Sequence, residues 1–226
     1  MVYLAHSAQA QLGALPLGLV GCSLLAVSLG LVQWRVWLIP QHPSVSSGIA
    51  WIGIFRACFF SHHDASPELL VMHCSSFHLC DAFTPLEITA AQILMFVSLA
   101  SGILGFAALL YALRNAFFGI KKRTRFAFRS GGVLTLLAAI LSLIPLLWNA
   151  VVVLHGGSIN FPPDFKLPPT PEEQQVGGAV WVGLVGVALL VVTAIINFSY
   201  KLPEDGARWE RRGKDNAAFQ FDDVRI

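Results

Sequence analysis

The sequence predicts an integral membrane protein built on four helices, and three observations carry that prediction. Of its 226 residues, 55% are hydrophobic and only 12% charged, with a mean hydropathy of +0.66. A water-soluble domain carries roughly 25% charged residues, so too little polar surface is left to keep this chain dissolved. Four apolar runs, at 12–32, 92–113, 131–154 and 176–200, have no Lys, Arg, Asp or Glu inside them. Each matches the roughly 20 apolar residues that a bilayer-spanning helix requires. Finally, the basic residues are unevenly placed: six lie in 114–130 and six after Tyr200, leaving three of the 15 elsewhere. By the positive-inside rule both termini and the 114–130 loop face the cytosol, and the two other loops face outward.

Each element follows from these limits. Residues 1–11 form a short cytosolic stub with no Lys, Arg, Asp or Glu. The run 12–32 lacks the basic leading region of a signal peptide and is longer than a cleavable apolar segment, so it is expected to be retained as the first helix. It holds Gly13, Gly18, Gly21, Ser23, Ala26, Ser28 and Gly30, small residues that let helix backbones approach closely in lipid. Residues 33–91 form a long first outer loop, 92–113 the second helix and 114–130 a cytosolic loop with Lys121-Lys122-Arg123-Thr124-Arg125. That cluster stops transfer and suits contact with anionic lipid. In the third helix, 131–154, Pro145 suggests a kink and Asn149 a hydrogen bond to another helix. The outer loop 155–175 contains Phe161-Pro162-Pro163 and Pro168-Pro169-Thr170-Pro171, which disfavour regular structure. The fourth helix is 176–200, and 201–226 is a mixed-charge tail expected to be disordered. With Val224 and Ile226 at its end, the tail suits strand addition to a PDZ groove.

Chemistry concentrates in the first outer loop. Cys58, Cys74 and Cys80 would face an oxidising compartment, which predicts at least one disulfide. Five of the seven histidines, His42, His62, His63, His73 and His78, lie there too. The spacing of His73, Cys74, His78 and Cys80 is not a standard zinc arrangement, so no metal is expected. From Arg35 to Glu87 the loop has two basic residues, Arg35 and Arg56, against Asp64, Glu68, Asp81 and Glu87. Rings of carboxylates favour cations, so these four are candidate pore-lining charges. Protonation of the histidines, with reference pKa about 6.5, would then erode a cation preference as pH falls toward about 6. No membrane-embedded carboxylate pair, phosphate-cradling glycine loop or serine–histidine context is present, so no enzyme activity, cofactor or nucleic-acid partner is expected.

Gln33-Trp34-Arg35-Val36, followed 19 positions after the tryptophan by Gly53-Ile54-Phe55-x-x-Cys58, resembles the claudin family of the wider peripheral myelin protein/claudin superfamily. Asp81, Ile88-Thr89-Ala90-Ala91-Gln92, Ser130-Gly131-Gly132-Val133, Trp148, Phe161 and Gly177-Gly178-Ala179 stand where that family has similar segments. Phe55 stands where the family has tryptophan, and Gln92 where it has arginine. The resemblance implies an all-α membrane four-helix bundle with a small extracellular antiparallel β-sheet formed by the two outer loops. It implies that Cys58 pairs with Cys74 or with Cys80; Cys58–Cys74, which asks for the smaller insertion, is preferred. Closing that loop would remove roughly 3 kcal/mol of unfolded-state entropy. The implied function is tight-junction cell–cell adhesion and a paracellular barrier or channel at the plasma membrane. Its partners would be membrane lipids, and itself or other claudins in cis and trans. Trp34, Gly53, Phe55 and Cys58 would be anchors and Phe161 a trans-adhesion contact. The alternative is a four-helix accessory subunit or membrane organiser that modulates a channel or receptor without sealing junctions.

Overall fold

The computed structural model describes residues 9–40, 45–63, 66–79, 81–118 and 121–200, with backbone alone at 62–63, 66–69 and 121–122. Among the described residues, four helices are long and apolar enough to cross a membrane: α1 (Gln9–Gly30), α2 (Leu86–Phe117), α3 (Lys121–Leu154) and α4 (Gly178–Phe198). Their exposed faces carry Leu19, Phe96, Leu104, Ile144, Trp181 and Ile195, side chains suited to lipid and unsuited to water. Small residues bring the helices together. A Cβ on Gly21 of α1 would meet the Gly186 carbonyl of α4 at 3.2 Å, and one on Gly105 of α2 would meet the Gly131 carbonyl of α3 at the same distance. Gly13 and Gly30 have open space instead, so only part of the small-residue pattern in α1 serves packing.

Some hydroxyls inside the bundle bond a neighbouring helix, while Thr135, Ser142 and Thr193 bond carbonyls of their own helix. Ser98 donates to the Ala138 carbonyl at 2.7 Å and Ser101 to that of Leu134 at 2.9 Å, tying α2 to α3. With no water available in the hydrocarbon region, such groups must find protein partners.

One end of the bundle carries a five-stranded antiparallel sheet: β1 (Arg35–Leu38), β2 (Ile49–Ile52), β3 (Arg56–His63), β4 (Ser66–Ser76) and β5 (Glu173–Val176). The order is β4-β3-β2-β1-β5, so the strand from the second loop closes the sheet beside β1. Alternation sets its faces. In β1, Arg35 and Trp37 are buried while Val36 and Leu38 are half-buried; in β2, Ala50 and Ile52 are buried. Register places Arg35 opposite Ile52 and Trp37 opposite Ala50, so one apolar face forms over the helix ends. The predicted bundle with a sheet from both loops is what the chain adopts. The prolines of the second loop leave room for one short strand, Glu173-Gln174-Gln175-Val176, beyond Pro171.

Candidate functional site

The sheet is fastened to the bundle through Trp34 and Arg35. Trp34 is 1% exposed, and its indole N–H donates to the Ser28 carbonyl in the last turn of α1 at 2.8 Å. Its own carbonyl accepts the Gly177 N–H at 3.0 Å, while the neighbouring Gln33 carbonyl accepts the Ala179 N–H, also at 3.0 Å. Ser28 completes the join by donating to the Ala179 carbonyl at 2.7 Å. The exit of α1 and the entry of α4 are therefore one hydrogen-bonded unit. No side chain fits at Gly177, because a Cβ there would overlap the Gln33 carbonyl.

Arg35, also 1% exposed, reaches two helices from β1. Its Nε donates to Asn149 Oδ1 on α3 at 2.6 Å, and Nη2 meets Glu87 Oε1 in the first turn of α2 at 3.0 Å. Burial pushes the guanidinium below its ordinary pKa, while Glu87 pulls it back up through the hydrogen bond and its charge. Arginine holds its proton under such conditions, so an ion pair is buried where sheet and helices meet. Two expectations are corrected here. Glu87 is not a free loop carboxylate: α2 begins at Leu86, ahead of the apolar run, and that extra turn brings Glu87 to Arg35, leaving its side chain 12% exposed. Asn149 bonds the sheet and not another helix; its Nδ2 also donates to the Trp34 carbonyl, at 3.4 Å.

The Gly53-Ile54-Phe55 segment turns the chain between β2 and β3, with the Gly53 N–H donating to the Arg56 carbonyl at 2.9 Å. A Cβ at Gly53 would sit 2.9 Å from Val32 Cα, so glycine lets this turn press against the chain just after α1. Gln92, fully buried in α2, donates Nε2 to the Ile54 carbonyl at 2.7 Å and pins the turn. Phe55 packs against Phe96 of the same helix, ring centroids 5.6 Å apart.

Cys58 and Cys74 are directly opposed across β3 and β4, with Cα atoms 4.2 Å apart, and they form the disulfide. Cys58 is buried and Cys74 exposed, so the bridge runs from the sheet interior to its outer strand. Cys80, the alternative partner, lies outside the described residues, as do Asp64, His42, Val224 and Ile226. The side chains of Glu68, His62 and His63 lie outside them too. Asp81 accepts the His78 N–H on Oδ2 at 2.6 Å, holding the turn that leads to α2. His73 is exposed and stacks on Phe59 with ring centroids 6.0 Å apart.

Phe161, the trans-adhesion candidate, makes contacts within the chain. It is half-buried, and its ring lies 5.6 Å from Trp37 and 5.3 Å from Phe165, with Phe77 and Phe83 close by. Aromatic pairs at these separations contribute beyond their buried area. The ring thus joins the second loop to the first within one chain. Phe77, Phe83 and Phe165 escaped the sequence reading because isolated phenylalanines in loops form no periodic pattern. Their concentration within an apolar chain was the available signal.

The arrangement is a disulfide-braced sheet bonded to four membrane helices. The family model described as PMP-22/EMP/MP20/Claudin tight junction matches residues 19–198, which spans Trp34, the glycine turn, the disulfide, β5 and all but the first residues of the bundle. The chain is also 28% identical over 193 residues to Claudin-5 of Homo sapiens, covering 82% of this chain and 80% of that protein. Together with the four-helix bundle and its two-loop sheet, this places the chain in the PMP-22/EMP/MP20/claudin family as a divergent, claudin-like member.

Proposed function

We propose that the protein acts in tight-junction cell–cell adhesion, as a component of a paracellular barrier or channel in the plasma membrane. The observation that carries this reading is the rigid mounting of the sheet. Arg35 ties β1 to both α2 and α3, and β5 ties the two loops together. A surface that must match copies beside it and opposite it gains affinity from such preorganisation. Both termini would be cytosolic, since 12 of the 15 basic residues fall in 114–130, where α2 ends and α3 begins, and in 201–226, after α4. Such copies would be of this chain or other claudins, in cis and trans. Expression in cells without junctions tests the reading: strands in freeze-fracture replicas and enrichment at cell contacts are expected. Diffuse surface staining without strands would instead favour the accessory-subunit alternative.

Pairing of Arg35 with Glu87 also changes the charge that the loop would offer to ions. Among the loop residues considered above, Arg56 remains against Asp64, Glu68 and Asp81, which favours cations. Dilution potentials across an expressing epithelial layer should show a mild cation preference. Anion preference would refute it. We further propose that Val224 and Ile226 suit a PDZ groove, in which case a tail peptide amidated at its carboxyl terminus should lose that binding.

A further inference from the structure

At the end of the bundle away from the sheet, two open recesses of about 400 and 320 Å³ meet at Tyr111. The larger is lined by Tyr111, Arg114, Asn115 and Phe118, and the smaller has Arg123 and Phe126 in its wall. The Tyr111 hydroxyl lies close to both the Asn115 amide and the Arg123 guanidinium. Asn115 is 4% exposed, yet its Nδ2 makes no bond of hydrogen-bonding geometry, not even with that hydroxyl. A buried amide left without an acceptor is costly, and the two recesses joined at Tyr111 together offer donors: Arg114, the hydroxyl and the amide in the larger, and Arg123 in the smaller.

Among the described residues, no carboxylate complements this basic surface. No Asp or Glu occurs between Glu87 and Asp164, and the six acidic and six basic residues of 201–226 balance each other. Among the described residues, Arg114 and Arg123 have no carboxylate partner; Arg114 lies over the Phe118 ring, 5.9 Å from its centroid. Phe117, Phe118 and Phe126 are 61%, 65% and 76% exposed beside the recesses. These rings stand at the ends of membrane-crossing helices, where apolar surface meets acyl chains while arginine reaches the headgroup level.

We propose that this double recess binds the headgroup phosphate of one anionic phospholipid. Arg114 and Arg123 grip the phosphate oxygens by charge-assisted hydrogen bonds, Tyr111 and Asn115 donate from behind, and the exposed phenylalanines seat the glycerol and acyl portion. A diffuse basic surface would attract the same lipids but would not distinguish one arginine from another. The proposal is independent of any barrier or adhesive role.

The test uses the full-length protein in detergent micelles, titrated with dioleoyl phosphatidylinositol 4-phosphate or dioleoyl phosphatidylcholine and read by native mass spectrometry. One molecule of the anionic lipid per chain should be retained in preference to phosphatidylcholine. Tyr111→Phe, which keeps charge and bulk, and Arg123→Gln should each weaken retention about five- to tenfold, the loss of one charge-assisted hydrogen bond. Arg129→Gln, an equal charge change on an exposed α3 residue outside both recesses, should change it less than about twofold. Equal retention of the two lipids overturns the proposal, and so does an Arg129→Gln effect as large as that of Arg123→Gln. Displacement by millimolar inorganic phosphate would overturn the assignment to lipid.

Discussion

Arg35 Nη2 lies 3.0 Å from Glu87 Oε1, joining the first strand of the sheet to the first turn of α2 across 52 residues of sequence. Because both side chains are largely shielded, removal of one partner leaves an uncompensated charge. Glu87→Gln should cost about 3–5 kcal/mol, read as a lower melting temperature in lipid nanodiscs. An Arg35→Met, Glu87→Gln double variant should lose less than the sum of the single changes. The folded pKa of Arg35 is lowered, so its burial costs stability at every pH below that value. Relief comes only in strong alkali, and its contribution is flat through neutral pH. A Glu87→Gln variant as stable as the parent would mean the pair is screened.

Gly177→Ala should block folding and surface delivery, since the new methyl group would overlap the Gln33 carbonyl and break the Trp34–Gly177 and Gln33–Ala179 hydrogen bonds. Gly13→Ala, in a helical position with open space around it, should be tolerated or gain up to about 1 kcal/mol. Surface biotinylation of the two variants side by side makes the comparison. Equal delivery would contradict the close join of α1 and α4.

Non-reducing peptide mapping should recover Cys58 cross-linked to Cys74. Cys58→Ser and Cys74→Ser should each destabilise the protein by roughly 3 kcal/mol, whereas Cys80→Ser should leave the bridge intact. Recovery of a Cys58–Cys80 peptide would refute the pairing.

Gln92→Leu removes the bond to the Ile54 carbonyl and leaves that buried acceptor bare, which should cost about 1–3 kcal/mol. The loss should also loosen the Gly53–Arg56 turn, so limited proteolysis between β2 and β3 should accelerate. Unchanged cleavage would show that the Gln92 bond does not hold the turn.

The legible parts of this protein were those governed by local physics. Bilayer thickness sets how long an apolar run must be, so the four helices could be read from hydropathy. Trp34, the glycine turn and Cys58 were legible as a spacing, although not as a mechanism. Even the choice of Cys74 over Cys80 rested on resemblance until β3 and β4 placed Cys58 and Cys74 at one register position. Glu87 illustrates the limit: by sequence it is one of four loop carboxylates, and only the start of α2 at Leu86 brings it to Arg35.

By itself, then, the sequence determined a four-helix membrane chain with an outer loop rich in cysteine and histidine, because lipid imposes rules that act residue by residue. Tertiary structure alone decided that Glu173–Val176 becomes the fifth strand, that Asn149 serves the sheet, and that Phe161 packs inward against Trp37. These are partnerships between residues far apart in the chain. Their energies depend on three-dimensional proximity and burial, which no local pattern encodes.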